Sequence, residues 1–107
     1  LTLNAFTRVG YTFTGWNTAA NGSGTAYANG ATYPFTADAT LYAQWSINSY
    51  TVTFNANGGT GSMSNQTQNY NVATALTLNA FTRTGYTFTG WNTAANGSGT
   101  AYANGAI

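Results

Sequence analysis

Charge is what this 107-residue chain has least of. Its charged side chains are Arg8, Arg83 and Asp38, and it contains no Lys, Glu, His or Cys. Charged residues make up 3% of the chain, where a soluble domain ordinarily carries about 25%. Each absence excludes a chemistry. One carboxylate with no His, Cys or Lys cannot form an acid–base pair, a Ser/His/Asp triad or a Cys/His dyad within one chain. A transition-metal site lacks its imidazole and thiolate ligands, and no disulfide can form. Asp38 with backbone and Asn carbonyls could offer calcium a single carboxylate, against which stands a capping or turn role. The expectation is a chain that is not an enzyme and holds no metal or cofactor. A net charge of +1 cannot neutralise a row of phosphates or draw the chain to an anionic membrane, so nucleic acid is not an expected partner. No apolar run approaches about 18 residues, so membrane insertion is not expected either. The single proline, Pro34, argues against a central strand at residues 32–38.

What is present is aromatic, small and polar. Aromatics reach 16% and hydrophobic residues 43%, enough material for a core. The dominant feature is a repeat. Residues 1–31 match residues 76–106 at 30 of 31 positions, the exception being Val9 against Thr84, so the offset is 75 residues. Near-identity at a fixed offset marks a tandem array. A period of 75 exceeds the roughly 20–50 residues of solenoid repeats, which favours small domains in series. The repeat is organised around Gly-Tyr-Thr-Phe-Thr-Gly-Trp-Asn-Thr, at residues 10–18 and again at 85–93.

The pattern along the chain is that of strands and turns. Tyr11 and Phe13 alternate with Thr12 and Thr14, and a bulge at Gly15 would return Trp16 to the buried face. Asn21-Gly22 and Asn29-Gly30 are turn signals, with Tyr27 between them on a short strand. Residues 40–45 alternate again, placing Leu41, Ala43 and Trp45 on one face. A linker is expected at 47–49, dividing the chain into 1–46, the C-terminal part of one repeat, and 50–107, the N-terminal part of the next. Residues 50–55 read as the cleanest strand, with Tyr50, Val52 and Phe54 on one face. Residues 66–78 are at least partly strand. No segment carries an apolar stripe at helical spacing with caps, so little helix is expected. The expected core comprises Tyr11, Phe13, Trp16, Leu41, Trp45, Val52, Phe54, Tyr86, Phe88 and Trp91.

Three landmarks recur together: Tyr-Thr-Val-Thr-Phe-Asn-Ala-Asn-Gly-Gly from Tyr50, Arg83-Thr84-Gly85-Tyr86-Thr87-Phe88-Thr89-Gly90-Trp91, and Ala39-Thr40-Leu41-Tyr42-Ala43-Gln44-Trp45. Together they resemble the Listeria–Bacteroides repeat, the internalin-type B repeat of bacterial surface proteins. That resemblance implies a mostly β, small α+β module of β-grasp type, in tandem on secreted or wall-attached proteins, with residues 50–55 as opening strand and 40–45 as closing strand. In that frame residues 1–45 lack an opening strand and residues 50–107 lack a closing one. The halves could be completed within one chain as a permuted domain, or head to tail by a neighbouring copy donating residues 32–45. The fragment could also be a window on a longer array. An unpaired strand edge with almost no charged gatekeepers favours association into a polymer.

Two functions are consistent with this. The first is a structural module of an extracellular or cell-surface protein, acting as stalk, spacer or fibre subunit. The second is an adhesin module that binds glycan or a host surface protein through aromatics and Asn-rich loops. The candidate contacts for the second are Tyr27, Tyr33 and Tyr102, which lie in turn-rich stretches. Arg8 and Arg83 precede equivalent glycines and suit hydrogen bonding to carbonyls or stacking on an aromatic ring. Gly58-Gly59 with Gly61 makes a turn and not a phosphate loop, since no Lys follows. Asn21, Asn65 and Asn96 match the N-glycosylation acceptor pattern, which chance also produces in an Asn/Ser/Thr-rich chain.

Overall fold

A computed structural model describes residues 1–107. The chain is mostly β with no helix, and folds as two units, Leu1–Asn48 and Ser49–Ile107. The first unit holds β1 (Tyr11–Asn17), β2 (Ala26–Tyr27) and β3 (Tyr42–Ile47), in the sheet order β2-β1-β3. The second holds β4 (Ser49–Val52), β5 (Gln66–Asn69), β6 (Trp91–Asn92) and β7 (Ala101–Tyr102), as two separate two-stranded ladders, β4-β5 and β6-β7.

β1 is the centre of the first unit. It pairs antiparallel with β3 from Tyr11↔Ile47 to Asn17↔Tyr42, and the register slips between Phe13 and Gly15. Gly15 has φ 148°, a backbone position that suits glycine. A Cβ there would sit 3.1 Å from the Tyr27 carbonyl oxygen. Thr14 is thus the extra residue of a bulge, and beyond it Trp16 pairs with Ala43. The turns fall on the Asn-Gly pairs. Gly22 (φ 80°) and Gly30 (φ 74°) follow Asn21 and Asn29, and the chain reverses through Gly22 N–H to Ala19 O and Ala31 N–H to Ala28 O. Residues 32–38, around Pro34, are irregular.

Two boundaries differ from the sequence reading. Ile47 ends β3 and Ser49 begins β4, so of residues 47–49 Asn48 alone lies outside a strand. The ladder is prolonged by Asn48 N–H to Gly10 O at 2.9 Å and Thr12 Oγ1 to Asn48 Oδ1 at 2.5 Å. The strand expected at 50–55 stops at Val52, because its partner β5 pairs only Ser49–Val52, ending at Val52↔Gln66.

Little of the surface is closed off. The accessible area is 7751 Å², against roughly 6,900 Å² for two separate compact units of this size. Phe54 is the one buried hydrophobic residue and Asn17 the one buried polar residue. Ten of the described aromatic and aliphatic side chains were expected in the core, and three are instead well exposed: Val52 at 44%, Tyr86 at 66% and Phe88 at 40%. The cause is missing cover. Tyr86 and Phe88 carry no strand on the edge that β3 covers in the first unit, and Val52 sits at the end of a two-stranded ladder. Tyr11, Phe13, Trp16, Leu41, Trp45 and Trp91 are half-buried.

Candidate functional site

The two copies of the organising stretch share their local structure. In each, the chain turns just before the aromatic pair, with Tyr11 N–H donating to Arg8 O and Tyr86 N–H to Arg83 O, both at 3.0 Å. Each guanidinium then lies over the tyrosine ring, 3.8 Å from its centroid. The two arginines are therefore stacking groups that pin a turn.

After the tryptophan comes a loop built around one asparagine. Asn17 Oδ1 accepts from Ala19 N–H at 2.9 Å and Gly24 N–H at 3.0 Å, and Asn17 Nδ2 donates to Gly22 O at 3.2 Å. Thr18 closes the loop, its Oγ1 accepting from Thr25 N–H at 2.9 Å. Asn92 and Thr93 repeat this with Ala94, Gly97, Gly99 and Thr100. The loop needs glycine at positions 24 and 99, since a Cβ at either would collide with the threonine hydroxyl and crowd the asparagine oxygen. Sequence reasoning took this region as turns and did not single out Asn17. The signal was there, in a Trp-Asn-Thr followed at fixed spacing by Asn-Gly-Ser-Gly-Thr in both copies.

What differs is the environment. In the first unit Phe13 makes edge contacts with Trp16 (5.2 Å between centroids) and with Trp45 on β3 (5.6 Å). In the second, Phe88 has Trp91 at 5.0 Å. The opposite holds for the other face of the tryptophan. Trp91 packs on Phe54 at 4.8 Å and Phe81 at 6.1 Å, whereas Trp16 has Phe6 at 6.2 Å and no counterpart of Phe54. Phe6 is accordingly 66% exposed. The indole N–H of both Trp16 and Trp91 is buried without an acceptor, so these rings act through their apolar faces.

A groove of about 1350 Å³ in the second unit is lined by Val52, Phe54, Tyr86, Phe88, Trp91 and Tyr102, among others. In the first unit a smaller space of about 380 Å³ lies against β1 and β2, lined by Thr14, Trp16, Ala26, Tyr27 and Gln44, among others. The groove holds no cluster of metal-ligating side chains, and Asp38 stands apart in the irregular segment of the first unit. Of the tyrosines considered for ligand contact, Tyr27 and Tyr33 stack on each other at 5.2 Å and Tyr33 on Phe35 at 5.2 Å. Tyr102 is 44% exposed at the margin of the groove. Tyr27 and Tyr33 belong to the first unit and Tyr102 to the second.

The chain is similar to known proteins over most of its length. It is 40% identical over 108 residues to a "Putative Gly-rich membrane protein" of Evansella cellulosilytica, an alignment covering 89% of this chain and 12% of that protein. It is 43% identical over 91 residues to Internalin H of Listeria monocytogenes, covering 85% of this chain and 16% of that protein. The chain thus spans less than a fifth of the length of either relative. No solved structure matches it, and no helix is long and apolar enough to cross a membrane. The family model of the Listeria-Bacteroides repeat domain matches twice, at residues 1–44 and 50–107. With nearly every residue inside those two matches, this chain belongs to the Listeria-Bacteroides repeat family.

Proposed function

We propose that the chain is a non-enzymatic structural repeat module of an extracellular or cell-surface protein, serving as a stalk, spacer or fibre subunit whose neighbouring copies join head to tail. The observation that carries this reading is the near-identity of residues 1–31 and 76–106 together with the reproduction of their turn and loop hydrogen bonds. A unit whose local structure rebuilds itself at each repeat can be added in series without redesign. Internalin-type and membrane-protein relatives support placement at the cell surface. The scarcity of charge fits a spacer as well: a Thr- and Asn-rich surface binds little by electrostatics.

Concatemers of one to four 75-residue periods test this by small-angle scattering. The maximum dimension is expected to grow linearly with copy number, and a dimension that stays constant as copies are added would refute the spacer. The second reading, a glycan- or protein-binding adhesin module, rests on the partly exposed rings Tyr33 and Tyr102 and on the Asn-rich loops beside Tyr27. Glycan-array binding lost on Tyr27→Ala, with the strands intact by amide exchange, would favour it over the spacer.

A further inference from the structure

Five Asn-Gly pairs occur in the chain, at Asn21, Asn29, Asn57, Asn96 and Asn104, and an alanine precedes each of them. Asn-Gly is where a chain can modify itself. The backbone nitrogen of the glycine can attack the carbonyl carbon of the Asn side chain, because no Cβ on the glycine hinders the approach. Five copies of one tripeptide have nearly the same intrinsic chemistry, so a difference between them comes from the fold. We propose that Asn29-Gly30 and Asn104-Gly105 are self-modification sites that convert to Asp and isoAsp with water as co-reactant, while the turns around Asn21, Asn57 and Asn96 hold their pairs back.

The place of the pair in its turn decides whether the attacking nitrogen is free. Ala28 to Ala31 and Ala103 to Ala106 are turns closed by Ala31 N–H to Ala28 O and by Ala106 N–H to Ala103 O, both at 3.1 Å. Gly30 (φ 74°) and Gly105 (φ 73°) are the third residues of these turns, where the N–H points away from the closing bond. Neither N–H makes a hydrogen bond within the chain. In the turns that begin at Ala19 and Ala94 the glycine is the fourth residue. There Gly22 N–H and Gly97 N–H are the closing donors, to Ala19 O and Ala94 O at 3.0 Å, so the nucleophile is already committed. Asn57-Gly58 has its glycine third, in the turn closed by Gly59 N–H to Ala56 O. Its leaving nitrogen is held instead, since Asn57 Nδ2 donates to Ala95 O at 2.8 Å. All five asparagines are exposed, so access to water does not separate them.

At Asn29 and Asn104 the electrophile is also prepared. Asn29 Oδ1 accepts from Asn4 N–H and Asn104 Oδ1 from Asn79 N–H, each at 2.8 Å. A backbone donor on that oxygen polarises the carbonyl, and the bond strengthens as the oxygen gains charge in the tetrahedral intermediate. Nδ2 of both residues makes no hydrogen bond within the chain, so it is free to leave. Hydroxide removes the Gly30 amide proton, and the nitrogen pair forms a bond to Asn29 Cγ. The Cγ–Nδ2 bond breaks, and ammonia departs with a proton taken from water. Water then opens the resulting cyclic imide at either carbonyl, leaving Asp or isoAsp, and nothing is oxidised or reduced. The same geometry stands beside β1, β2 and β3 at Asn29 and beside β6 and β7 at Asn104, so it belongs to the segment. Conversion at both sites takes the net charge from +1 to −1. Asp keeps an acceptor for the Asn4 or Asn79 N–H, whereas isoAsp adds a carbon to the main chain and draws that acceptor away.

Incubating the unmodified chain at neutral pH and mapping it by mass at intervals tests this, with no substitution to disturb the fold. Cleavage after Arg83 parts Asn96 and Asn104 from the other three sites, and fragmentation that distinguishes isoAsp from Asp then gives a rate at each. One net hydrogen bond corresponds to roughly a five-fold factor in rate. Asn29 and Asn104 are therefore expected to convert about five-fold faster than Asn21 and Asn96, and faster than Asn57. In guanidinium chloride, where the turns are lost, the five rates should converge. Equal rates in the folded chain, a ranking led by Asn21, Asn57 or Asn96, or no conversion at Asn29 and Asn104 would overturn the proposal. So would the same ranking in guanidinium chloride, since the turns could not then be its cause. The repeat also supplies its own replicates: Asn29 should agree with Asn104, and Asn21 with Asn96. A spread within these pairs larger than the gap between them would overturn turn geometry as the determinant. None of these outcomes bears on the spacer reading, which stands or falls with the length of the concatemers.

Discussion

Substituting the same residue in the two copies separates burial from hydrogen-bond count. Asn17 makes three side-chain hydrogen bonds, to Ala19, Gly22 and Gly24. Asn92 makes four, to Ala94, Gly97 and twice to Gly99. If bond count governed stability, Asn92→Ala would be the costlier change. Burial argues the reverse. Asn17 is 3% exposed, beneath the edge that β3 closes, whereas Asn92 is only half-buried beside the open groove. At about 1 kcal/mol net per hydrogen bond, with no water able to replace the lost amide, Asn17→Ala should cost about 3 kcal/mol. Water can reach the orphaned Ala94 and Gly99 N–H groups, so Asn92→Ala should cost about 1 kcal/mol. A unit of this size is worth in total about 2–7 kcal/mol, so Asn17→Ala should bring the first unit close to unfolding. The assay is urea denaturation followed by residue-resolved amide exchange. With Asn17→Ala, protection of Tyr11–Asn17 and Tyr42–Ile47 should be lost while β4 and β5 keep theirs. An Asn92→Ala loss equal to or greater than the Asn17→Ala loss would refute the argument from burial.

Gly24→Ala should destabilise the first unit by about 2 kcal/mol or more, because the new methyl group meets the Thr18 hydroxyl and Asn17 Oδ1 in a loop with no room to relax; a melting temperature within a degree of the parent would contradict this. With no His, Lys or Glu side chain, the urea midpoint should stay nearly constant from pH 5 to 8 and from low to about 1 M salt, apart from the mild strengthening that salting-out ions give to apolar burial; a midpoint that moves steeply with pH would show that a titrating group had been overlooked.

The parts of this structure that are local were legible in the sequence. The alternation Tyr11-Thr12-Phe13-Thr14 broken at Gly15 specifies a strand with a bulge, because glycine alone accepts the backbone angle that realigns Trp16. The Asn-Gly pairs specify turns for the same steric reason. What lies between distant residues was less legible. The reading at 50–55 ran past Val52, since a strand ends where its partner does and the sequence of a strand does not name its partner. Tyr86 and Phe88 are expected in the core, as are Tyr11 and Phe13, and the two pairs sit in the same local sequence apart from Val9 against Thr84. The exposure of Tyr86 and Phe88 follows from the lack of an opposing strand, which no inspection of residues 85–93 could reveal. The Asn17 loop was missed for another reason. Asparagine in a Gly-rich stretch reads as a solvated turn, and only its hydrogen bonds show that it organises the loop from inside.

The chain contains its own control experiment on how much structure a sequence encodes. Two 31-residue segments, alike at all but one position, fold in different company. Their turn bonds at Tyr11 and Tyr86, their loop bonds at Thr18 and Thr93, and their Arg–Tyr stacks agree in distance. Those features are therefore properties of the segment. The strand is not: seven residues are extended in a ladder in one copy, and two in the other. The difference tracks β3, which the first copy has and the second lacks. Hydrogen bonds between adjacent turns close small loops at little entropic cost, while pairing Tyr11 with Ile47 closes a long one and is favoured only when Phe13 and Trp45 also meet. The loop is thus set by hydrogen bonds inside the segment, and the length of the strand by the partner it pairs with.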